Sequence, residues 1–376
     1  MLDDQSGPHS HSGIDVGSLL DAINPASSPE VITIPDAELL FHGDFKRAGN
    51  DLKISGELGK SHTVYGYFDN DDHRALFAPN GAQLSGEVVA ALAGPLAPGQ
   101  YAQAGAPASA NVAIGKVATV SGTAQAVRNG VAVTLNVGDQ VLKGDVIQTQ
   151  SDSAIGVVFT DGTTFNLSSN ARMVLNEFVY DPNGSNNAAS ISLVQGAISF
   201  LAGQVAKTGD MKVGTPVATM GIRGTAVNVN ISADNGATQI SVMAEADNLT
   251  HTVQVFAVNA DGTQGALLGT VTNNGGLFTF NPTPLGVLVQ ELAKDAATLQ
   301  RELTIVQQVF QTQAVGQQFL QGPDPQGTKT AQGPAGTQFI VTDQAKLHDV
   351  TLTNGGGPTT IKIGTDSSDP GHHTTS

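Results

Sequence analysis

GKVATVSGTAQAVRNGVAVTLNVGDQVLKGDVIQTQSDSAIGVVFTDGTTFNLSSNARMVL occupies residues 115–175, and its reading decides the fold class. Short apolar runs stand at Lys116–Val120, Ala124–Val127, Val131–Leu135, Ala154–Thr160 and Thr164–Leu167. Turn pairs separate them. Asn129-Gly130 and Asp161-Gly162 tolerate positive φ and close tight turns between neighbouring strands. Gly138-Asp139 and Gly144-Asp145 add two further breaks. Breaks this frequent leave no room for helices. The stretch is all-β, and the pattern runs on to GTPVATMGIRGTAVNVNI at 214–231. Short strands with frequent turns suit a twisted solenoid and a sandwich equally.

Composition agrees and excludes several functions. The chain has 376 residues, room for two or three domains. Gly accounts for 44 of them, while charged residues are 13% and aromatics 5%, with no Trp. Small side chains in that proportion suit stacked strands and many turns. A net charge of −16 removes nucleic acid and anionic membrane from the partners, since both need a basic stripe. Without any Cys there are no disulfides, thiolate metal sites or thiol nucleophiles. Residues 1–30 lack a basic segment followed by an apolar one, so no Sec signal is read there. No window approaches the ~18 apolar residues of a membrane helix.

The order of motifs carries a resemblance. A G-x-V strand pair is followed by V-G-D-x-V-x-x-G-D-x-I-x-T at Val137–Thr149 and F-T-D-G-T-x-F-x-L at Phe159–Leu167. Then come L-x-x-G-x-I-x-F at Leu193–Phe200 and T-P-V-A-T-x-G-I-R-G-T at Thr215–Thr225. This order resembles the FecR-type domain of the periplasmic iron-dicitrate regulators and of large surface and secreted proteins of Gram-negative bacteria. The resemblance covers about a third of the chain. It implies a β-rich, twisted arrangement of short strands. It marks Gly138, Asp139, Gly144, Asp145, Asp161, Gly162, Thr215, Pro216, Gly221, Arg223, Gly224 and Thr225 as signature positions with a structural role. It also implies contact with a protein partner or self-association, by strand addition at an exposed edge.

Around this domain, at 112–232, the chain divides further. Residues 1–28 are polar and aperiodic, a disordered tail, with His9 and His11 as half of a metal site at most. Residues 29–93 form a small β region. Arg47–Ile54 matches the R-x-G-x-D-L-x-I segment that often precedes FecR-type domains, and Tyr65-Gly66-Tyr67-Phe68 alternates like a half-buried strand. Asp69-Asn70-Asp71-Asp72-His73 gathers oxygen ligands that could hold Ca²⁺ weakly, though the EF-hand spacing fails. Residues 94–111 are an Ala/Gly/Pro linker. Residues 233–282 continue as a β extension. A helix is expected over 283–321, where Leu299, Leu303, Val306 and Phe310 form a heptad-like face that Leu285, Leu288 and Leu292 prolong. Glu291 and Lys294 would sit one turn apart on it. That face could self-associate or dock on the β body. Residues 322–376 are linker and mostly disordered tail, with a strand or two at Phe339–Leu352.

No catalytic pattern emerges. Lys143, at a Gly-Asp hairpin, lacks the flanking residues of a lipoyl carrier lysine. Gly214–Thr225 leads into a strand, so it is no phosphate loop. Arg223 could hold a ligand carboxylate, but pairing with a nearby carboxylate or capping a turn is the plainer role. Glu177 and Glu245 lack a partner signature. The sequence therefore reads as a non-catalytic module, cofactor-free, of an exported or envelope protein that leaves by a non-Sec route, with the cytoplasm as the alternative. A signal-sensing regulator that borrows a membrane partner is the second reading. A carbohydrate-binding β module is the third, and it would need Tyr65, Tyr67 or Phe68 exposed on one face.

Overall fold

The computed structural model describes residues 31–69, 73–95, 112–243, 250–259, 262–273 and 276–321, and the strands at 329–332, 338–341, 349–354 and 357–362. The first of these form a small unit: β1 (Ile32–Thr33), α1 (Ala37–His42), β2 (Asp44–Ala48), β3 (Asp51–Ser55), β4 (Ser61–Val64), β5 (Leu76–Phe77), β6 (Gln83–Leu84) and α2 (Gly86–Ala93). Two short helices thus join the expected strands. Each opens on a residue whose side chain accepts backbone N–H groups, Asp36 for α1 and Ser85 for α2. The Arg47–Ile54 segment is the β2–β3 hairpin, turning at Gly49 with φ +66°. Tyr65–Phe68 is a turn, not a strand. Gly66 has φ +62° and its N–H donates to Asp51 Oδ1 at 2.8 Å, which ends β4 at Val64.

Seventeen strands follow in one continuous body. They are β7 (Ala113–Ser121), β8 (Ala124–Arg128), β9 (Val131–Thr134), β10 (Gln140–Leu142), β11 (Val146–Thr149), β12 (Ala154–Phe159), β13 (Thr164–Leu167), β14 (Arg172–Val179) and β15 (Ala188–Leu201). After the short helix α3 (Val205–Thr208) come β16 (Asp210–Gly214), β17 (Thr219–Ile222), β18 (Ala226–Ile231), β19 (Thr238–Val242), β20 (Thr252–Val258), β21 (Gln264–Thr272), β22 (Leu277–Thr283) and β23 (Gly286–Leu292). Their pairings sort them into two sheets. One has the order β10-β7-β12-β13-β15-β18-β19-β22-β23. The other has the order β9-β8-β11-β14-β15-β16-β17-β20-β21. Only β15–β16 is parallel.

Strand β15 belongs to both sheets. Ala188–Gln195 pairs with β14, and Gly196–Leu201 pairs with β18. Successive hairpins fall alternately on the two sheets, so the body grows like a solenoid while its section is a sandwich. No break occurs at residue 232, because β19 pairs with β18 along five residues. The core lies between the sheets. Phe159, Phe165 and Phe200 line one inner face, and Phe178 meets Phe159 edge-on from the other at 5.2 Å. Such pairs add to the burial gain because ring edge and ring face attract.

The first sheet has a second covered face. Helix α4 (Ala296–Gln321) crosses the outside of β15, β13, β12 and β7. This is why β12 is buried on both sides, from Ile155 to Phe159. The helix starts thirteen residues later than 283, at Ala296, where Asp295 Oδ1 accepts the Thr298 N–H at 2.7 Å. The hydrogen bonds from Thr298 also hold the Asp295 carboxyl below its ordinary range. Residues 284–292 are instead the β22–β23 hairpin, turning at Pro284-Leu285. Glu291 accepts the Gly276 N–H and Lys294 pairs with Glu302, so the expected Glu291–Lys294 helix pair does not form.

The buried helix stripe is Glu302, Val306, Val309, Thr312 and Gly316. Of the expected stripe only Val306 is buried, whereas Leu299 and Leu303 are 46% and 48% exposed. Val306 and Val309 pack on Leu201, Ala226 and Met243, and farther along Thr312 and Gly316 lie close over Gly156, Ala118 and Val158. Farther on, the expected tail holds four strands, β24 (Lys329–Gln332), β25 (Gln338–Val341), β26 (Asp349–Asn354) and β27 (Gly357–Lys362), in an antiparallel meander. The alternating Val/Thr/Leu of DVTLTN and the Thr/Ile of GPTTIK give it β character.

A Cβ on Gly316 would lie 2.1 Å from Val158 Cγ2. On an exposed helix, Gly→Ala stabilises by about 0.5–1 kcal/mol. Here Gly316→Ala is expected to destabilise instead, by about 1–3 kcal/mol, as overpacking does. A lower urea midpoint followed by circular dichroism checks this; a higher one would mean that α4 is undocked.

Candidate functional site

The signature residues build turns, and each turn clamps a neighbouring strand. Gly138 and Gly144 have φ of +89° and +86°. Asp139 Oδ2 accepts the Asn136 N–H at 2.7 Å. Asp145 is buried, and Arg128 grips it with both prongs, Nε to Oδ1 at 2.9 Å and Nη2 to Oδ2 at 3.0 Å. Leu142 N–H donates to the same carboxylate at 2.9 Å. Arg128 Nη2 also reaches the Gln140 carbonyl at 2.6 Å. The planar fork matches the carboxylate, which is why Arg rather than Lys suits this place.

Asp161 is a second buried hub. It accepts Thr163 N–H at 2.9 Å, Thr163 Oγ1–H at 2.7 Å and Val205 N–H at 3.0 Å, so the Asp-Gly-Thr turn anchors the start of α3. Gly162 turns with φ +87°, and its carbonyl accepts Gln313 of α4 at 3.1 Å. Thr215 Oγ1 accepts Ala218 N–H at 3.2 Å, and the Pro216 carbonyl accepts Gln83 N–H at 2.7 Å.

Gly224 needs its positive φ of +93°. Gly221 does not need to be glycine for space, since a Cβ there would find its nearest contact at 3.6 Å, Phe256. Thr225 is buried with its hydroxyl unpartnered. Arg223 is exposed and forms no ion pair with a described residue. These positions are spread along both sheets and do not converge.

Other candidates are equally dispersed. Among the described residues no three His, Asp or Glu side chains gather as metal ligands. Of the proposed calcium run only Asp69 and His73 are described; His9, His11 and Glu245 lie outside the described residues. Glu177 and Lys143 are exposed. Of the three rings named for a sugar platform, Tyr67 and Phe68 are buried and Tyr65, on a turn, is 80% exposed.

Three features were missed by the sequence reading. Lys294 and Glu302 form a buried pair at 3.1 Å, completed by Ser241 Oγ–H to Glu302 at 2.5 Å and by the Val242 carbonyl. Arg172 is buried with Nη1 donating to the Gly43 carbonyl at 2.9 Å; burial pushes its guanidinium down while Asp44 opposes this. A cleft of about 300 Å³ lies where α2 meets β14–β16, and on its wall Gln83 Oε1 and Asn176 Oδ1 have no partner. That is the small end of ligand pockets, and no ring lines it.

The edges of the sheets differ in how they are guarded. Unpaired N–H and C=O groups invite another strand, and proteins blunt them with short strands, bulges, Lys or Pro. Strand β10 has three residues and a register shift, and β9 has four residues. Strand β21 is long, but its register against β20 shifts twice. Strand β23, GVLVQEL, pairs with β22 along all seven residues without a shift and carries no Lys or Pro. Among the described strands nothing pairs with its outer side. Leu285 is fully exposed, and Leu288 and Leu292 are 53% and 57% exposed.

The match to known proteins is partial. Residues 145–246 match the family model described as FecR protein. Two crystal structures of a candidate anti-sigma factor from Parabacteroides distasonis, at 2.50 Å and 1.65 Å resolution, align at 15% identity with TM-score 0.29. The alignment covers 41% of this chain and 62% of that one, less than two thirds of its length. No curated protein matches.

Arg128→Met would leave Asp145 buried with only the Leu142 N–H. A loss of about 2–4 kcal/mol is expected, below the range for a fully buried pair because Arg128 reaches solvent. In guanidinium unfolding, Arg128→Met with Asp145→Leu should recover part of it; equal midpoints for wild type and Arg128→Met would show the pair to be idle.

Proposed function

With residues 145–246 as a FecR domain, we propose that this chain is a non-catalytic protein-binding module of a bacterial surface or exported protein. The observation that carries the reading is the unguarded edge of β23 with its exposed leucines. An open strand supplies a row of backbone donors and acceptors, and alternate side chains supply selectivity. The signature residues support the same reading from the other side. They fix turns and leave the domain rigid, which limits the entropy cost of binding at its edge.

The FecR match itself favours a second reading, a signal-sensing regulator that acts through a separate membrane partner. No helix among the described residues is long and apolar enough to cross a membrane, so in that reading the span belongs to the partner. Both readings station the domain in the envelope or outside the cell.

Val289→Pro tests the module. The N–H of Val289 points away from β22, so proline removes an outward donor and costs the monomer no ladder bond. A photo-crosslinking residue at Leu288 in the producing cell is expected to give a discrete protein adduct in the envelope or medium fraction. The adduct should vanish with Val289→Pro, and the same probe at Val131 on β9 should give none. A strictly cytosolic protein, or an adduct indifferent to Val289→Pro, would sink the reading.

A further inference from the structure

We infer that the strand received by β23 is β23 of a second copy of this chain, paired antiparallel about a two-fold axis through Gln290. The inference rests on the protein-binding reading above and names its partner. The hairpin fixes which groups are available. Thr283 and Gly286 close the two-residue loop as a hydrogen-bonded pair, and bonded pairs alternate along the ladder. The backbone groups of Val287, Val289 and Glu291 therefore point outward, ready for a new strand. The side chains of Leu288, Gln290 and Leu292 stand on the outer face of the sheet, while Val287 and Val289 pack on the core.

A two-fold axis on any residue of β23 preserves this hydrogen-bond pattern, but one at Leu288 would leave Leu292 without a partner on the strand and one at Glu291 would set that charge against itself. An axis at Val289 sets Leu288 against Gln290 of the partner. An axis at Gln290 sets Leu288 against Leu292 of the partner, twice over, and Gln290 against Gln290. Directly opposed apolar pairs stabilise a sheet, and in non-hydrogen-bonded positions their side chains come closest. The second register also places Glu291 against Val289 of the partner, so the strand's one charge never meets itself. A self-complementary edge of this kind is what an isologous interface requires.

The chain leaves the edge free. After Leu292 it turns back over the sheet, and Lys294 Nζ reaches the Val242 carbonyl on β19 at 2.9 Å. Helix α4 then runs away from β23 toward β7. Leu299 and Leu303, exposed at its start, follow the leucines of the edge strand closely in sequence. The charge of −16 on each copy opposes association, but salt at physiological strength screens charges beyond about 8 Å.

The absence of cysteine makes the register directly testable. The full chain is expected to sediment as a dimer that dissociates on dilution, and Val289→Pro as a monomer of unchanged circular dichroism. Gln290→Cys should oxidise to a covalent dimer on its own, because the two Cβ atoms face each other across the axis. Leu288→Cys alone should not, yet mixed with Leu292→Cys it should. Covalent dimers from Val289→Cys in place of Gln290→Cys would overturn the register. A wild-type monomer at every concentration would overturn the self-pairing. If that monomer still gave the Leu288 adduct in cells, sensitive to Val289→Pro, the protein-binding reading would survive without it; if it gave none, both would fall.

Discussion

Strand β15 must change sheets without breaking, and the rest of the sandwich depends on it. Its first half buries Ala189, Ile191 and Leu193, and its second half buries Ile198 and Phe200. The core-facing positions are odd through Leu193 and even from Val194 on, while Leu201 is buried on the other face under α4. A strand passing from one sheet to the facing one has to exchange its two faces in this way, since side chains alternate with period two. The exchange is made by the bulge at Val194, an extra residue against β14, and Gly196 follows it with φ +80° and a Cβ site only 2.6 Å from Ala171 Cα. Neither the backbone angle nor the space admits another residue. Once the switch is made, the crossover through α3 delivers β16 parallel to β15, and the remaining hairpins follow.

The buried carboxylates hold what the switch arranges. Asp145 and Asp161 lie in turns, where backbone N–H groups point inward without ladder partners. Asp161 collects two of these and a hydroxyl, Asp145 collects one beside the Arg128 fork, and a carboxylate is the side chain with the most acceptor sites. Charge-assisted bonds of this type are short and strong. The molecule therefore places these two buried carboxylates where turns would otherwise leave donors unsatisfied.

What could be read from the sequence was local. Asn129-Gly130 forms the β8–β9 hairpin with both φ positive, as the pair's chemistry requires. The strands of the FecR-type stretch fall where alternation and turns put them. Arg128 as the partner of Asp145 was invisible, because 17 residues separate them and only strand pairing joins them. The hairpin at 277–292 was masked by leucines whose spacing imitates a helix, although Pro284 and Gly286 mark the turn between two strands. The true helix stripe escaped notice because Glu302, Thr312 and Gly316 are not apolar. It is chosen by what the sheet beneath presents, Leu201 and Met243 under Val306 and Val309 and a close approach at Gly156 and Val158 farther on, a property of another part of the chain.

Helix α4 has one more effect. The sandwich begins with β7 and is finished at β23, yet α4 brings the chain back, and Lys116 Nζ on β7 donates to the Phe319 carbonyl at 2.9 Å. The first of the seventeen strands and the end of α4 thus meet at a single corner. A tether that includes this domain is scarcely longer than the same tether without it; the domain hangs from the thread as a pendant.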